Sequence, residues 1–149
     1  MDSDKLCLRK ATEKDISVLY DMICDLENTV INFNHFKAVF DKNIVAENIS
    51  YFIAEIDNEA VGMVSCHIQP LLHHAALVSE IQEMYVNPKF RSLGIGHHLM
   101  EFVKDFAKNE GAIQMEVTSR NTREKAHQFY QKEDFEKSHV KLVTYFNKY

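Results

Sequence analysis

The 149-residue chain has no tryptophan, three cysteines, four glycines and two prolines. Because the cysteines are odd in number, widely spaced and free of any CxxC pair, a disulfide framework and a cysteine-based zinc site are excluded, and a reducing, cytoplasmic location is favoured. The chain also lacks a run of about 18 apolar residues and an apolar stretch behind its amino terminus. We therefore expect neither a membrane span nor secretion.

A strong excess of positive charge is missing too, since the formal net charge is -5. The chain as a whole therefore has no electrostatic reason to bind nucleic acid or an anionic membrane surface. The 46% hydrophobic content, with ten phenylalanines and six tyrosines, is typical of a packed globular protein. No linker, repeat or low-complexity tract interrupts it, so we expect a single domain over residues 1–149.

Apolar periodicity predicts an alternating α/β chain. In the first half, a short strand at residues 6–10 precedes a helix capped by Thr12 and a second helix near 34–43. Two strands at 50–56 and 60–68 then flank a turn and form a hairpin.

The second half predicts a parallel crossover after the antiparallel strands. One strand covers 77–86 and cannot continue through Pro88, and a helix from Ile95 ends where Gly111 supplies a left-handed C-cap. A strand at 113–117, a helix at 122–132 and a final strand at 140–146 complete a mixed sheet.

The loop between the 77–86 strand and its helix reads Arg91-Ser92-Leu93-Gly94-Ile95-Gly96. Two glycines there let the backbone approach a bulky anion, while the unpaired amides and dipole of a helix start favour pyrophosphate. A Walker loop would need a glycine-lysine pair, and a dinucleotide fingerprint would need a third glycine where Leu99 stands. Both nucleotide-binding interpretations fail.

With the preceding Met84-Tyr85-Val86-Asn87-Pro88, this loop resembles the acyl-CoA signature of the GNAT superfamily of N-acetyltransferases. The stretch from Asn121 to Tyr130 resembles a second signature of that superfamily. The resemblance implies a GNAT-like α/β fold, with a mixed, mostly antiparallel sheet of about six or seven strands flanked by about four helices. It also implies acetyl-CoA as cosubstrate.

The resemblance places acetyl-CoA on the loop and on the strand before it. Main-chain groups of Met84 and Val86 would pair with the pantetheine amides, and Asn121 would hydrogen-bond the pantetheine. The full set of expected cofactor-binding residues is Met84, Tyr85, Val86, Arg91, Ser92, Leu93, Gly94, Ile95, Gly96 and Asn121. Positive charge concentrates around both signatures, at Lys89, Arg91, Arg120, Arg123 and Lys125.

Shorter stretches are similar to aminoalkylphosphonate N-acetyltransferases: Phe33-Asn34-His35-Phe36, Leu72-His73-His74, Glu80-Ile81-Gln82-Glu83 and Ser138-His139. An aminoalkylphosphonate acceptor needs donors or a cation for its dianionic head. We expect the pocket to be lined by Phe36, Phe40, His67, His73, His74 and His139. A histidine or a bound divalent metal ion would face the phosphonate, and no metal ligands are assigned.

Acetyl transfer requires a base, because an amine at neutral pH is mostly ammonium. Glu80 and Glu83 are the candidates, and strand alternation puts them on opposite faces unless the bulge implied by the resemblance resets it. We slightly favour Glu80, and a solvated strand carboxylate is the alternative for each. The resemblance assigns Tyr130 as the acid that protonates the departing CoA thiolate, with core packing as its alternative.

The sequence thus predicts an N-acetyltransferase that moves acetyl directly from acetyl-CoA to a small primary amine. A non-catalytic acyl-CoA sensor or interaction module is the rival interpretation, and polyamines or protein amines are alternative acceptors. The expected partner is the small amine, without nucleic acid or membrane, and a homodimer is left open.

Overall fold

The computed structural model describes residues 5–147, which divide after Val117 into two compact units. The first unit contains β1 (Leu6–Lys10), α1 (Ile16–Glu27), α2 (Phe33–Ile44), β2 (Ile49–Ile56), β3 (Glu59–Leu71), β4 (Ala76–Ile81), β5 (Met84–Val86), α3 (Ile95–Asn109) and β6 (Ala112–Val117). The second unit contains α4 (Glu124–Lys132), followed by irregular chain. Within residues 5–147, no helix is both long and apolar enough to cross a bilayer.

The first unit is built on one six-stranded sheet in the order β1-β2-β3-β4-β6, with β5 paired to β3. All pairs are antiparallel except β4 with β6, which is parallel and requires the crossover through α3. The expected mixed, mostly antiparallel sheet is confirmed, with six strands and four helices in the described residues.

Helices cover both faces of this sheet. On one face, α1 and α2 bury Leu19, Met22 and Phe40 in a cluster with Ile53. On the other face, the ring of Phe52 meets two rings of α3, Phe102 at 5.1 Å and Phe106 at 4.9 Å. Because successive strand residues point to opposite faces, these neighbours in β2 serve two separate core layers.

The entry to α1 is held by polar contacts. Thr12 and Asp15 form a reciprocal capping box, as the sequence predicted for Thr12. The Arg9 guanidinium donates to the Asp15 carboxylate at 2.8 and 2.9 Å and to Glu55 at 2.6 Å. The hydrogen bonds from Arg9 lower the pKa of Asp15. The Arg9 cation is thereby engaged by two acidic side chains.

The continuous strand expected at 77–86 is wrong, because the chain leaves the ladder at Gln82 and Glu83 and forms two strands, β4 and β5. Cys66 is buried, whereas Cys7 is exposed on the edge strand β1. Gly111 takes the predicted left-handed conformation with φ +93°.

The final strand expected at 140–146 is also wrong, since this segment of the second unit is irregular. Val140, Leu142 and Phe146 are 86%, 90% and 95% exposed. Residues with β-branched and aromatic side chains favour extended backbone, but a strand also needs a hydrogen-bonded neighbour. Within residues 118–147 the unit contains no other strand to supply one.

Candidate active site

A β-bulge separates β4 from β5 and shapes the centre of the sheet. Glu80 pairs with His67, whereas Met84 pairs with Val64, so four residue steps on one strand face three on β3. One extra residue is accommodated there, as the family resemblance implied.

Ser65 of β3 holds the bulge by hydrogen bonds. Its Oγ accepts from the amides of Gln82 at 3.1 Å and Glu83 at 2.8 Å, and its own amide donates to the Glu83 carbonyl at 2.9 Å. Ser65 is completely buried. Because buried amides need acceptors, the serine hydroxyl replaces the ladder bonds that the extra residue interrupts.

The bulge changes which way the two candidate glutamates point. Paired strand residues share a face, so Glu80 lies on the face of His67, and Tyr85 on the face of Met63. His67 and Met63 lie four residues apart on β3 and share one face, and Glu83 lies two residues before Tyr85. The bulge therefore resets the alternation, as the resemblance implied, and both glutamates belong to the face covered by α1 and α2.

The carboxylates of these glutamates differ in their partners. Glu80 Oε1 accepts from Gln82 Nε2 at 2.7 Å, and Glu80 is the parallel-ladder partner of Glu116. Glu83 Oε1 is buried and has no hydrogen-bond partner among the described residues. A buried carboxylate oxygen without a donor costs free energy of folding. Glu83 is therefore the glutamate with an unused acceptor oxygen.

Tyr51 of β2 lies within the electrostatic reach of Glu83. Burial raises the pKa of the Tyr51 hydroxyl, and the Glu83 charge raises it further, while a hydrogen bond from Asn43 acts in the opposite direction. That bond runs from Asn43 Nδ2 to the Tyr51 hydroxyl oxygen at 2.8 Å.

Phe40 stacks on the Tyr51 ring at 6.4 Å, and Phe36 stacks on Phe40 at 6.3 Å. The expected pocket residue Phe40 is thus a core residue, only 4% exposed, and Phe36 is half-buried.

The strand β5 has an open edge. It pairs with β3 on one side, while the β4–β6 pairing stops at Ile81 and Val117, so β5 has no second strand neighbour among residues 5–147. The Glu83 carbonyl and the Asn87 amide bond towards β3. Because antiparallel hydrogen bonding alternates, the peptide groups of Met84 and Val86 face the open edge.

The glycine loop follows directly. Ser92 and Gly94 have left-handed φ values of +67° and +83°, and Gly94 is the N-cap of α3, where no side chain caps the helix. A Cβ built on Gly94 would meet nothing within 4 Å, so the space above the loop is open. Arg91 Nε donates to the Val86 carbonyl at 3.0 Å and ties the loop to β5. The arrangement can receive an anion at the start of a long helix.

In the second unit, Tyr130 is half-buried in α4 between the rings of Phe129 at 5.4 Å and Phe135 at 5.8 Å. Burial raises the pKa of Tyr130, so its hydroxyl keeps its proton at neutral pH. Asn121 is exposed in a turn before α4, and His139 is exposed in the irregular segment.

The histidines of the first unit are not brought together. His67 is half-buried opposite Glu80, whereas His73 and His74 lie beyond Leu71 at the tip of the β3–β4 hairpin. Leu71 is four residues past His67, which corresponds to about 13 Å along a strand. Among the residues that the structure describes, no three His, Cys, Asp or Glu side chains are grouped to hold a metal ion.

Sequence reasoning missed Asn43, Tyr51 and Ser65. No local motif marks them, because their relation to Glu83 arises from pairing between strands that are distant in sequence. The one available signal was a tyrosine in the mostly apolar strand β2.

Comparison with protein families gives a match over most of the chain. The model described as the Acetyltransferase (GNAT) family matches residues 18–135. An aminoalkylphosphonate N-acetyltransferase of Salmonella typhimurium is 36% identical over 136 residues, which cover 91% of this chain and 88% of the relative. An uncharacterised N-acetyltransferase of Archaeoglobus fulgidus is 33% identical over 68% of this chain and 67% of its own.

Solved structures show the same fold. A protein from Bacillus halodurans C-125, named a transcriptional regulator, superposes with a TM-score of 0.86 at 23% identity, covering 95% of this chain and 99% of the other. An aminoglycoside N-acetyltransferase, AAC(6')-Iy in complex with CoA, superposes with a TM-score of 0.82 at 18% identity, covering 96% and 94%.

Proposed function

The chain belongs to the acetyltransferase (GNAT) family, and from this premise we propose that residues 1–149 form one domain that transfers acetyl from acetyl-CoA directly to a small primary amine. The observation that carries the proposal is the bulge between β4 and β5. Among residues 5–147 it leaves the β5 edge open next to Glu83, and it leaves the buried Oε1 of Glu83 without a partner. Both features fit a site where an amine meets a thioester.

Acetyl-CoA would bind through the loop and the open edge. The pyrophosphate would take amides at the start of α3, beside the left-handed Gly94, and the pantetheine would pair with the exposed peptides of Met84 and Val86 as an added strand. One of those amides would also stabilise the developing oxyanion. The side chain of Tyr85 has a different task, since its buried hydroxyl donates to Asp25 and ties β5 to α1.

Glu83 is the better candidate for the general base. The ammonium of the acceptor must lose a proton before its nitrogen attacks the thioester carbonyl. The Glu83 carboxylate would accept that proton, since its Oε1 has no partner among the described residues, whereas Glu80 already accepts from Gln82. The amine then attacks, the carbon–sulfur bond breaks, and the sulfur leaves as a thiolate that needs a proton.

Tyr130 is the proposed donor of that proton, and Tyr130→Phe should lower kcat about tenfold or more with acetyl-CoA affinity nearly unchanged, since one proton donor is removed. Single-turnover kinetics with calorimetric binding would measure both. Tyr145→Phe is the matched control, because Tyr145 is 70% exposed. An unchanged kcat in Tyr130→Phe, with chemistry rate-limiting, would remove Tyr130 from the mechanism.

The proposed acceptor is an aminoalkylphosphonate. The 36% identity to the Salmonella typhimurium enzyme over most of both chains supports it. Arg9 is held by Asp15 and Glu55, so it is a poor candidate for the phosphonate. His67, on the same face as Glu80, is the better candidate, with or without a divalent metal ion.

Release of CoA thiol over an acceptor panel tests this function. We expect 2-aminoethylphosphonate to give a kcat/KM at least about tenfold above ethanolamine, spermidine and a lysine peptide, because only the phosphonate can use an anion subsite. Each acceptor is measured with and without a chelator, which tests the metal. A preference for spermidine would reject the phosphonate, and no release with any amine would favour the sensor interpretation.

We further place the enzyme in the cytoplasm, where its three free cysteines would remain reduced.

A further inference from the structure

Tyr51, Ser65 and Glu83 form a row that runs from β2 across β3 to the bulge between β4 and β5. Tyr51 of β2 is the ladder partner of Ser65 of β3, and Ser65 bonds the backbone of Glu83 through two contacts at 2.8 and 2.9 Å. The Ser65 hydroxyl is used by the bulge amides. The Tyr51 hydroxyl and the Glu83 carboxylate are therefore the functional groups that flank this serine.

Asn43 of α2 orients the Tyr51 hydroxyl. Asn43 Nδ2 donates to its oxygen at 2.8 Å, which uses one lone pair and directs the O–H away from Asn43. The ring is fixed by stacking on Phe40, and its backbone carbonyl accepts from the Ala11 amide at 2.7 Å. The ring is thus fixed, and the charge that acts on its hydroxyl belongs to Glu83, whose buried Oε1 has no hydrogen-bond partner among the described residues.

We propose that Tyr51, oriented by Asn43, is a positioning residue for Glu83, and this rests on the proposed N-acetyltransferase function. Its hydroxyl donates to one carboxylate oxygen of Glu83 and turns the other oxygen towards the acceptor amine. The proton of the ammonium moves to Glu83, and Tyr51 keeps its own. Burial raises the pKa of Tyr51 and so supports a donor that stays protonated.

On this face, Arg9 of β1 is the ladder partner of Ile53 and is held by Asp15 and Glu55. Glu83 is the charged group that acts on the Tyr51 hydroxyl. Glu80 and His67 are ladder partners further along the sheet. Helix α2 contributes the neutral Asn43, and Asp25 of α1 is bonded to Tyr85. Tyr51→Phe would therefore remove the proposed contact with Glu83 together with the hydrogen bond from Asn43.

Tyr51→Phe removes one oxygen and retains the stacked ring. We expect kcat/KM for the amine to fall about tenfold and its acidic limb to move to higher pH, since a donated hydrogen bond favours the ionised carboxylate. The KM for acetyl-CoA should stay the same. Asn43→Ala should move the acidic limb of the pH profile in the same direction by a smaller amount. This variant provides the test if Tyr51→Phe does not fold.

Tyr20→Phe is the matched control, because it removes a hydroxyl that donates to the Ile31 carbonyl within the same aromatic cluster. Its pH profile should equal that of the wild type. In a Glu83→Gln background, Tyr51→Phe should change kcat less than about twofold.

Three results would overturn the assignment: an unmoved acidic limb in both Tyr51→Phe and Asn43→Ala, an equal shift in Tyr20→Phe, or a full tenfold loss in the Glu83→Gln background. Absence of thiol release by the wild-type protein would instead reject the proposed function, so the two failures are distinguishable.

Discussion

Glu83→Gln is expected to lower kcat by about a hundredfold to a thousandfold, the range that removal of a general base produces. Glu80→Gln, by contrast, should lower kcat less than about threefold. The two residues lie on one face and three positions apart, so the pair is a sharp internal control.

The physical reason lies in the two environments. Glutamine at position 83 keeps the shape of the side chain but cannot take the proton of the acceptor ammonium. Within the part of the chain that the structure describes, Glu83 has a buried oxygen without a partner, whereas the Glu80 carboxylate is engaged by Gln82. The Ser65 contacts use only the backbone of Glu83, so the bulge should survive the substitution.

Rates should be measured from pH 5.5 to 9 with saturating acetyl-CoA. Loss of the acidic limb in Glu83→Gln, together with unchanged thermal unfolding, would support the assignment. If Glu80→Gln lost the acidic limb and Glu83→Gln kept it, Glu80 would be the base, as the sequence analysis favoured. If both kept it, a histidine or water would be the better base.

Gly94→Val should weaken acetyl-CoA binding by about 2 kcal/mol, or about thirtyfold in Kd. Gly94 has φ +83°, a conformation that a β-branched residue adopts only with strain. Relief of that strain would turn the first amides of α3 away from the pyrophosphate. The added side chain would also occupy the open space above the loop, where a Cβ meets no neighbouring atom within 4 Å.

Gly111→Val separates strain from ligand binding. Gly111 also has a left-handed φ, +93°, but it lies after the carboxyl end of α3. Both variants should lose similar stability on thermal unfolding, and only Gly94→Val should lose affinity in calorimetry. A folded Gly94→Val protein with wild-type affinity would show that the loop is not the pyrophosphate site.

Local patterns in the chain are enough for most elements. The strand at 6–10 is predicted with its observed bounds, and α1, α2 and α3 follow from apolar residues at helical spacing. Gly111 ends its helix as predicted because a left-handed C-cap depends on the residue that adopts it. The cofactor loop is equally local, since its strand, glycines and helix start are contiguous.

Features that depend on partners distant in sequence could not be read in this way. The bulge requires Ser65, 18 residues from Glu83, and it puts both glutamates on one face. The segment 140–146 has a strand-like composition but is irregular, because ladder bonds need a neighbour.

The identity of the chemistry therefore follows from contiguous residues, because helix spacing, glycine conformation and the phosphate loop depend on interactions within a few positions. The choice of base and the role of Tyr51 follow from strand register, which joins residues 51, 65 and 83 across the sheet. Register depends on the summed burial and hydrogen bonding of whole strands, and one extra residue reverses the face of every later side chain.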